Sequence, residues 1–354
     1  MNQAAFNFAP NGKRAERGAA AVPAVVGREV VRDVAQAAGR AANGADPGDA
    51  LGFDYARYGM VPPAPCLWPG HPVREGWERG RRLVGRRTRI ATLAATRWLA
   101  LRLAAWHRGE AFDDHQITPQ VLRSLEVATA CPITGRALQD DAKVVPVDAA
   151  RGWVAGNLAL MSPSFAERWV GIDWELAKAS LARAEAEPET LVDSIPLRQW
   201  RRIVALKSLA TPLPNDEAAL IPLHVLPPNR LRLVNPIQEL QAVLTLQLAV
   251  PGWGQRARGI ADSMPEALRN EFNLFFNSLL AQALRQGHGP ARAEMRDALA
   301  TAWGDAVVQR RWTRFAAQVD APLAEVLVER LTREPMPGLY VVHHGEVEAL
   351  QAAA

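Results

Sequence analysis

Cys131-Pro132-Ile133-Thr134-Gly135, followed by Val144-Val145-Pro146-Val147-Asp148 and then by Gly152-Trp153-Val154-Ala155-Gly156-Asn157-Leu158-Ala159-Leu160-Met161-Ser162, sets the architecture of the chain's middle. Two short apolar and β-branched runs on either side of a loop bounded by Gly152 and Gly156 predict strands at 143–148 and 157–161, paired as a hairpin. Ser162-Pro163 has the form of a helix start, with a hydroxyl residue before a proline, and predicts a helix over about 164–185. The order is strand, loop, strand, helix.

On the N-terminal side, residues 78–107 lack proline and are rich in helix formers. At about 100° per residue, Arg79, Arg82, Arg86, Arg89 and Arg97 fall on one narrow arc of the helix expected there, with Gly85 as a point of bending. Thr118-Pro119 predicts the start of a short helix. Residues 55–77 carry Pro62, Pro63, Pro65, Pro69 and Pro72 and are expected to form an extended, aromatic buckle. Residues 1–50 are rich in Ala and Gly and are expected to be a flexible tail with one short helix near 28–42.

On the C-terminal side an acidic linker at 185–189 leads to helices expected at 196–209, 236–248, 265–286, 292–318 with a break near Gly304, and 321–333. An extended connector is expected at 220–234 and a late strand at 339–347. The fold class expected is therefore mainly α with a small β hairpin. Three regions follow: a flexible tail at 1–50, a basic helix with the hairpin unit at 51–188, and a mainly helical C-terminal domain at 189–354.

The 354 residues, 49% hydrophobic and 22% charged, exclude a disordered or fibrous chain. Two cysteines, Cys66 and Cys131, exclude a disulfide framework and fit a reducing compartment. With His71 and His115 they do not make a close-paired zinc spacing, so no metal site is expected from them. The apolar run at 90–106 is interrupted by Arg97 and Arg102, each costing roughly 2.5–3.5 kcal/mol near a bilayer centre, so no membrane span is expected. Lys13, Arg14 and Arg17 precede an apolar stretch that imitates a signal peptide until Pro23 and Arg28 interrupt it, and a cytoplasmic location is expected. Arginine outnumbers lysine 37 to 4, as in a GC-rich bacterial genome. Codon bias does not explain why residues 79–108 hold nine arginines and no acid: +4 overall minus +9 there leaves −5 elsewhere.

The central stretch resembles the HNH endonuclease family over about residues 131–175. In that family a Cys-Pro-x-x-Gly-type turn precedes a β hairpin whose first strand ends in an Asp-His pair. The hairpin loop often has the form Gly-aromatic-Val-x-Gly-Asn, and the second strand enters a helix bearing a further Asn or His. Cys131, Gly135, Asp148, Gly152, Gly156 and Asn157 match this frame. The resemblance implies a ββα unit that sets a divalent cation against a scissile phosphate while a histidine activates water. Ala149 stands where that histidine would follow Asp148, and Phe165-Ala166 stand where an Ala-Asn pair is common. General-base assistance alone is worth about 10²- to 10⁴-fold, so the implied unit is a scaffold without its catalysis. The remaining catalytic candidates are Asp148 with His115, and magnesium or manganese enters only with that nuclease alternative.

The function expected is therefore non-catalytic nucleic-acid binding, to DNA rather than RNA, with Arg79, Arg82, Arg86, Arg89 and Arg97 holding backbone phosphates. One alternative is a protein-assembly subunit whose basic helix docks an acidic partner. Phe272, Leu274, Phe275, Phe276, Leu279 and Leu280 make its C-terminal helix more apolar than one buried face requires. Another is a solvated basic face paired with acids of the C-terminal region. Of the tryptophans, Trp98, Trp106, Trp169, Trp200, Trp303 and Trp312 are expected in the core, while Trp68, Trp77 and Trp153 are the candidates for exposed contact.

Overall fold

The computed structural model describes residues 46–249, 253–286, 292–332 and 339–340. The helix expected at 28–42 and most of the expected late strand lie outside them. Among the described residues the chain is mainly helical, with 14 α-helices and one antiparallel hairpin. The helices before the hairpin are α1 (Pro47–Arg57), α2 (Pro72–Val84), α3 (Leu93–His107) and α4 (Pro119–Leu125). Strands β1 (Lys143–Pro146) and β2 (Leu158–Met161) follow. Then come α5 (Pro163–Trp169), α6 (Trp174–Ala186), α7 (Leu197–Ala210) and α8 (Asn215–Leu220). After β3 (Leu231–Arg232) the chain continues as α9 (Pro236–Leu246), α10 (Trp253–Ser263), α11 (Glu266–Gln286), α12 (Arg292–Ala302), α13 (Ala306–Ala316) and α14 (Ala321–Leu331). β4 (Leu339–Tyr340) pairs parallel with β3.

The hairpin register runs from Lys143 opposite Met161 to Pro146 opposite Leu158, and Val147 N–H extends it by donating to Asn157 O at 2.7 Å. All four residues of β2 are buried, because both faces of the hairpin are covered. One face lies in a core with α3, α4 and the N-terminal helices, the other in a larger core that reaches through the C-terminal helices. The domain boundary expected at 188/189 falls within this larger core, which runs from Cys131 to Val328. Trp169, Trp200, Trp303 and Trp312 are among its largest fully buried side chains.

Several expected elements differ from those observed, each with a local cause. Residues 47–50 open α1 instead of ending a tail, since Asp46 caps the helix by accepting from Gly48 N–H at 2.7 Å. Pro72 ends the buckle early by serving as the first residue of α2. The single helix expected over 78–107 is two helices. Gly85, at φ +56°, closes α2, and the Thr92 hydroxyl accepts from Ala95 N–H at 3.2 Å to start α3. The helix expected over 164–185 is likewise α5 and α6, because the Asp173 carboxylate caps a new start at Leu176 N–H, 2.8 Å away.

α1 and α2 pack with their backbones in contact. A Cβ at Gly76 would stand 1.8 Å from Asp49 O, and one at Gly52 1.9 Å from Val73 O. Only hydrogen fits at these two positions.

Candidate functional site

The two-helix arrangement breaks the expected arginine arc, and the arginines meet different fates. Arg79 is ion-paired with Asp49 of α1. Arg97 is only partly exposed, donating to Glu126 Oε1 at 2.7 Å and to the Asp140 carbonyl. Arg102 is buried, with Asp54 at 2.5 Å and Asp114 at 2.6 Å, and lies 4.5 Å above the Trp98 ring. Arg108 pairs with Glu110 at 2.7 Å. Their acidic partners lie within residues 46–126, not in the C-terminal region as the solvated-face alternative expected. The Arg97 and Arg102 pairs are buried or partly buried and fix packing, while Arg79 and Arg108 are about half exposed but each is matched by a carboxylate.

Residues 85–91, between α2 and α3, remain exposed throughout. They nevertheless have a defined course: Arg87 N–H donates to Val84 O at 3.0 Å and Arg89 N–H to Arg57 O at 2.8 Å. Among the described residues no carboxylate pairs with Arg86, Arg87 or Arg89. At the end of α2, Arg82 is 79% exposed and touches only Glu78 at 3.9 Å, and Arg81 lies 4.9 Å over the Trp77 ring. The open cationic surface is thus Arg81, Arg82, Arg86, Arg87 and Arg89. Arg79 and Arg97 of the expected set are spent elsewhere, and Arg81 and Arg87 take their place. Leu83, Ile90 and Leu93 stand exposed among these arginines.

The frame residues around the hairpin are held together by one side chain. Asn157 is fully buried; its amide donates to Asp148 O at 2.7 Å and Gly152 O at 2.8 Å, and its Oδ1 accepts from Asp148 N–H at 2.9 Å. Asp148 Oδ1 accepts from Ala150 N–H at 2.9 Å, so this carboxylate oxygen closes the turn of its own loop. Gly152 and Gly156 take φ of +63° and +83°, the left-handed region where a side chain strains the backbone. Gly135, at φ +71°, donates to Cys131 O at 2.9 Å and closes the Cys-Pro-x-x-Gly turn. Burial pushes the Cys131 thiol up. Hydrogen bonds from the Ser162 backbone, the Thr134 hydroxyl and the Thr134 and Ile133 backbone outweigh it and hold the thiol below its usual range.

His115 is exposed and faces Asp114 at 3.9 Å; among the described residues no hydrogen bond or ion pair joins it to Asp148. Trp153, expected to be exposed, is buried: its indole N–H donates to Glu110 Oε2 at 2.7 Å and its ring stacks 6.0 Å from Phe112. Trp77 donates to Met60 O at 2.9 Å and is half-buried, leaving Trp68 as the exposed member of that set.

Sequence reasoning missed three cations around the loop. Lys207 of α7 is buried, donates to Val147 O at 2.9 Å and sits 4.2 Å over the Trp169 ring. Burial pushes its amine down to about 8, with Asp148 and Asp173 opposing. Arg151 of the hairpin loop and Arg232 of β3 complete the group. No local pattern marks these residues, because α7 and β3 reach the loop from 50 or more positions away in the chain; the only signal was a lone arginine inside a Gly-bounded loop.

No family model, curated protein or solved structure matches the chain. The site therefore rests on its own geometry. Among the described residues no group of three His, Cys, Asp or Glu side chains is placed to hold a metal ion, and no helix is long and apolar enough to cross a membrane.

Proposed function

We propose that the chain binds nucleic acid without cleaving it, on a degenerate HNH-like scaffold, holding DNA phosphates through the arginines of residues 81–89. One observation carries this reading: an ordered, exposed strap presents Arg86, Arg87 and Arg89 with no acidic partner among the described residues, while neighbouring arginines are neutralised. Guanidinium groups spaced along an extended segment suit a row of backbone phosphates and carry no base readout, so binding is expected to be sequence-tolerant and steeply salt-dependent. The HNH-like aspect of the reading is supported by the strand–loop–strand–helix order and by Asn157 and the positive-φ glycines locking the loop.

The test is electrophoretic mobility at two salt concentrations with duplex DNA and duplex RNA of one sequence, using the wild type and the Arg86→Glu, Arg87→Glu, Arg89→Glu triple variant. Retarded DNA lost in the variant is the expected result. Unchanged binding by the variant, or none by the wild type, removes the proposal.

A second reading, docking of an acidic protein partner, is favoured by Leu83, Ile90 and Leu93, whose exposed side chains alternate with the arginines. A stoichiometric complex that survives nuclease treatment and is lost on Ile90→Asp would favour it. The assembly surface expected on α11 has less support: Phe272, Phe275, Phe276 and Leu279 are buried within the chain's own core.

A further inference from the structure

The hairpin loop holds two arginines, one in the loop and one packed against it, with no carboxylate ion-paired to either among the described residues. Arg151 lies in that loop, and Arg232 is clamped against it: Arg232 N–H donates to Gly156 O at 2.7 Å, and a Cβ on Gly156 would stand 2.7 Å from the Arg232 Cβ. Arg151 Nη1 is buried and has no hydrogen-bond partner, and among the described residues no carboxylate lies at ion-pair distance from either guanidinium. Asp148, the nearest acid along the chain, has Oδ1 engaged by Ala150 N–H. Burial first, then repulsion from Arg232, holds the Arg151 guanidinium below its ordinary range, with Asp148 opposing. Lys207 adds a third cation behind the loop, its Nζ fixed on Val147 O.

A buried guanidinium nitrogen without an acceptor is costly, and a second cation nearby adds to the cost, unless an anion completes the set. Guanidinium forks match tetrahedral oxyanions through paired N–H···O bonds, which a chloride ion does not reproduce. We propose that Arg151 and Arg232 form an oxyanion site that takes a phosphate group. This site is separate from the 81–89 strap and does not depend on it. The phosphate arrives either as free orthophosphate or as a phosphodiester of nucleic acid.

The experiment uses the full chain carrying Arg86→Glu, Arg87→Glu and Arg89→Glu, so that binding through the strap does not contribute. Thermal midpoints and calorimetric titrations are recorded with orthophosphate and, separately, with a DNA duplex, each against chloride at equal ionic strength. A saturable response to either supports the site when Arg151→Gln and Arg232→Gln each weaken it about ten-fold or more. Response to orthophosphate alone assigns a free anion, and response to the duplex assigns a backbone phosphate. Without phosphate, Arg151→Gln is expected to melt no lower than its parent, because it removes an unpartnered charge. No response to either probe overturns the proposal, as does full phosphate binding by either folded glutamine variant. Failure of both variants to fold makes the pair structural and overturns it equally.

Discussion

At the scale of a single residue, Asn157 shows how a polar side chain buried in the middle of the fold acts as a fastener. Its three hydrogen bonds reach the two ends of the hairpin loop, and no water is needed to satisfy them. Asn157→Ala leaves the Asp148 N–H and the Asp148 and Gly152 carbonyls unmatched inside the fold, with a small void beside them. A loss of about 2–4 kcal/mol is expected. Urea denaturation of the variant against wild type measures it; a loss within the error of the extrapolation would mean that the loop holds its shape unaided. The Gly-Asn pair was visible in the sequence as a hairpin loop, but its bonding to Asp148 was not. That bonding holds the Asp148 backbone, while the Asp148 carboxylate Oδ1 separately accepts from Ala150 N–H in the same loop.

At the scale of elements, what was legible and what was not divides by range. Thr118-Pro119 read correctly as a cap because everything it needs lies within three residues: the Thr118 hydroxyl accepts from Val121 N–H at 3.4 Å. The hairpin read correctly because its two apolar runs flank a short loop marked by Gly152 and Gly156. The break between α2 and α3 was hidden because periodicity continues through it by chance. Gly85 and the Thr92 cap were weaker signals than an unbroken run without proline. Ion pairs such as Arg102 with Asp54 and Asp114 were beyond reach, since nothing local says which acid a buried arginine will meet. The contact of α1 with α2 belongs to this scale too. Gly76 faces the Asp49 carbonyl so closely that one methyl group must push the helices apart. Gly76→Ala is expected to cost about 3 kcal/mol or more, lowering the thermal midpoint. Gly85→Ala, in open space but at positive φ, should cost only about 1–2 kcal/mol.

Helix α9 carries a second element-scale consequence, for it is buried on nearly every side and still contains Glu239. Glu239 Oε1 has no hydrogen-bond partner among the described residues. Burial, with a smaller push from Glu325, raises the carboxyl from its ordinary 4.5 to about 9. The folded chain therefore keeps a proton that the unfolded chain releases. Stability from this group is fully present below pH 4.5 and is lost as pH climbs through about 9. Glu239→Gln preserves the shape and removes the titration. Relative to that variant, wild type is expected to lose on the order of 3 kcal/mol between about pH 5 and pH 8. Parallel urea curves for the two proteins over that range would contradict it.

At the scale of the whole molecule the placement of charge matters more than its sum. Net charge is only +4, and four of the nine arginines of the basic window, Arg79, Arg97, Arg102 and Arg108, are matched by carboxylates that fold back on them. What remains is a compact set of five arginines at residues 81–89, on a chain whose other residues sum to +4 minus +5, or −1. Such a molecule is drawn to a polyanion by one small region and only weakly opposed by the rest. If five guanidiniums each displace one counterion, log of the binding constant should fall with log of salt at a slope near −4.5, from about −0.9 per phosphate. Arg86→Glu, Arg87→Glu and Arg89→Glu together should flatten that slope by about 3, whatever the DNA sequence. Arg79→Gln and Arg97→Gln break ion pairs and should lower the melting midpoint while leaving the slope in place. Fluorescence anisotropy on one duplex across a salt series separates the two groups of arginines. A slope that follows Arg79 and Arg97 instead would return the binding surface to the unbroken arc that the two-helix fold has taken apart.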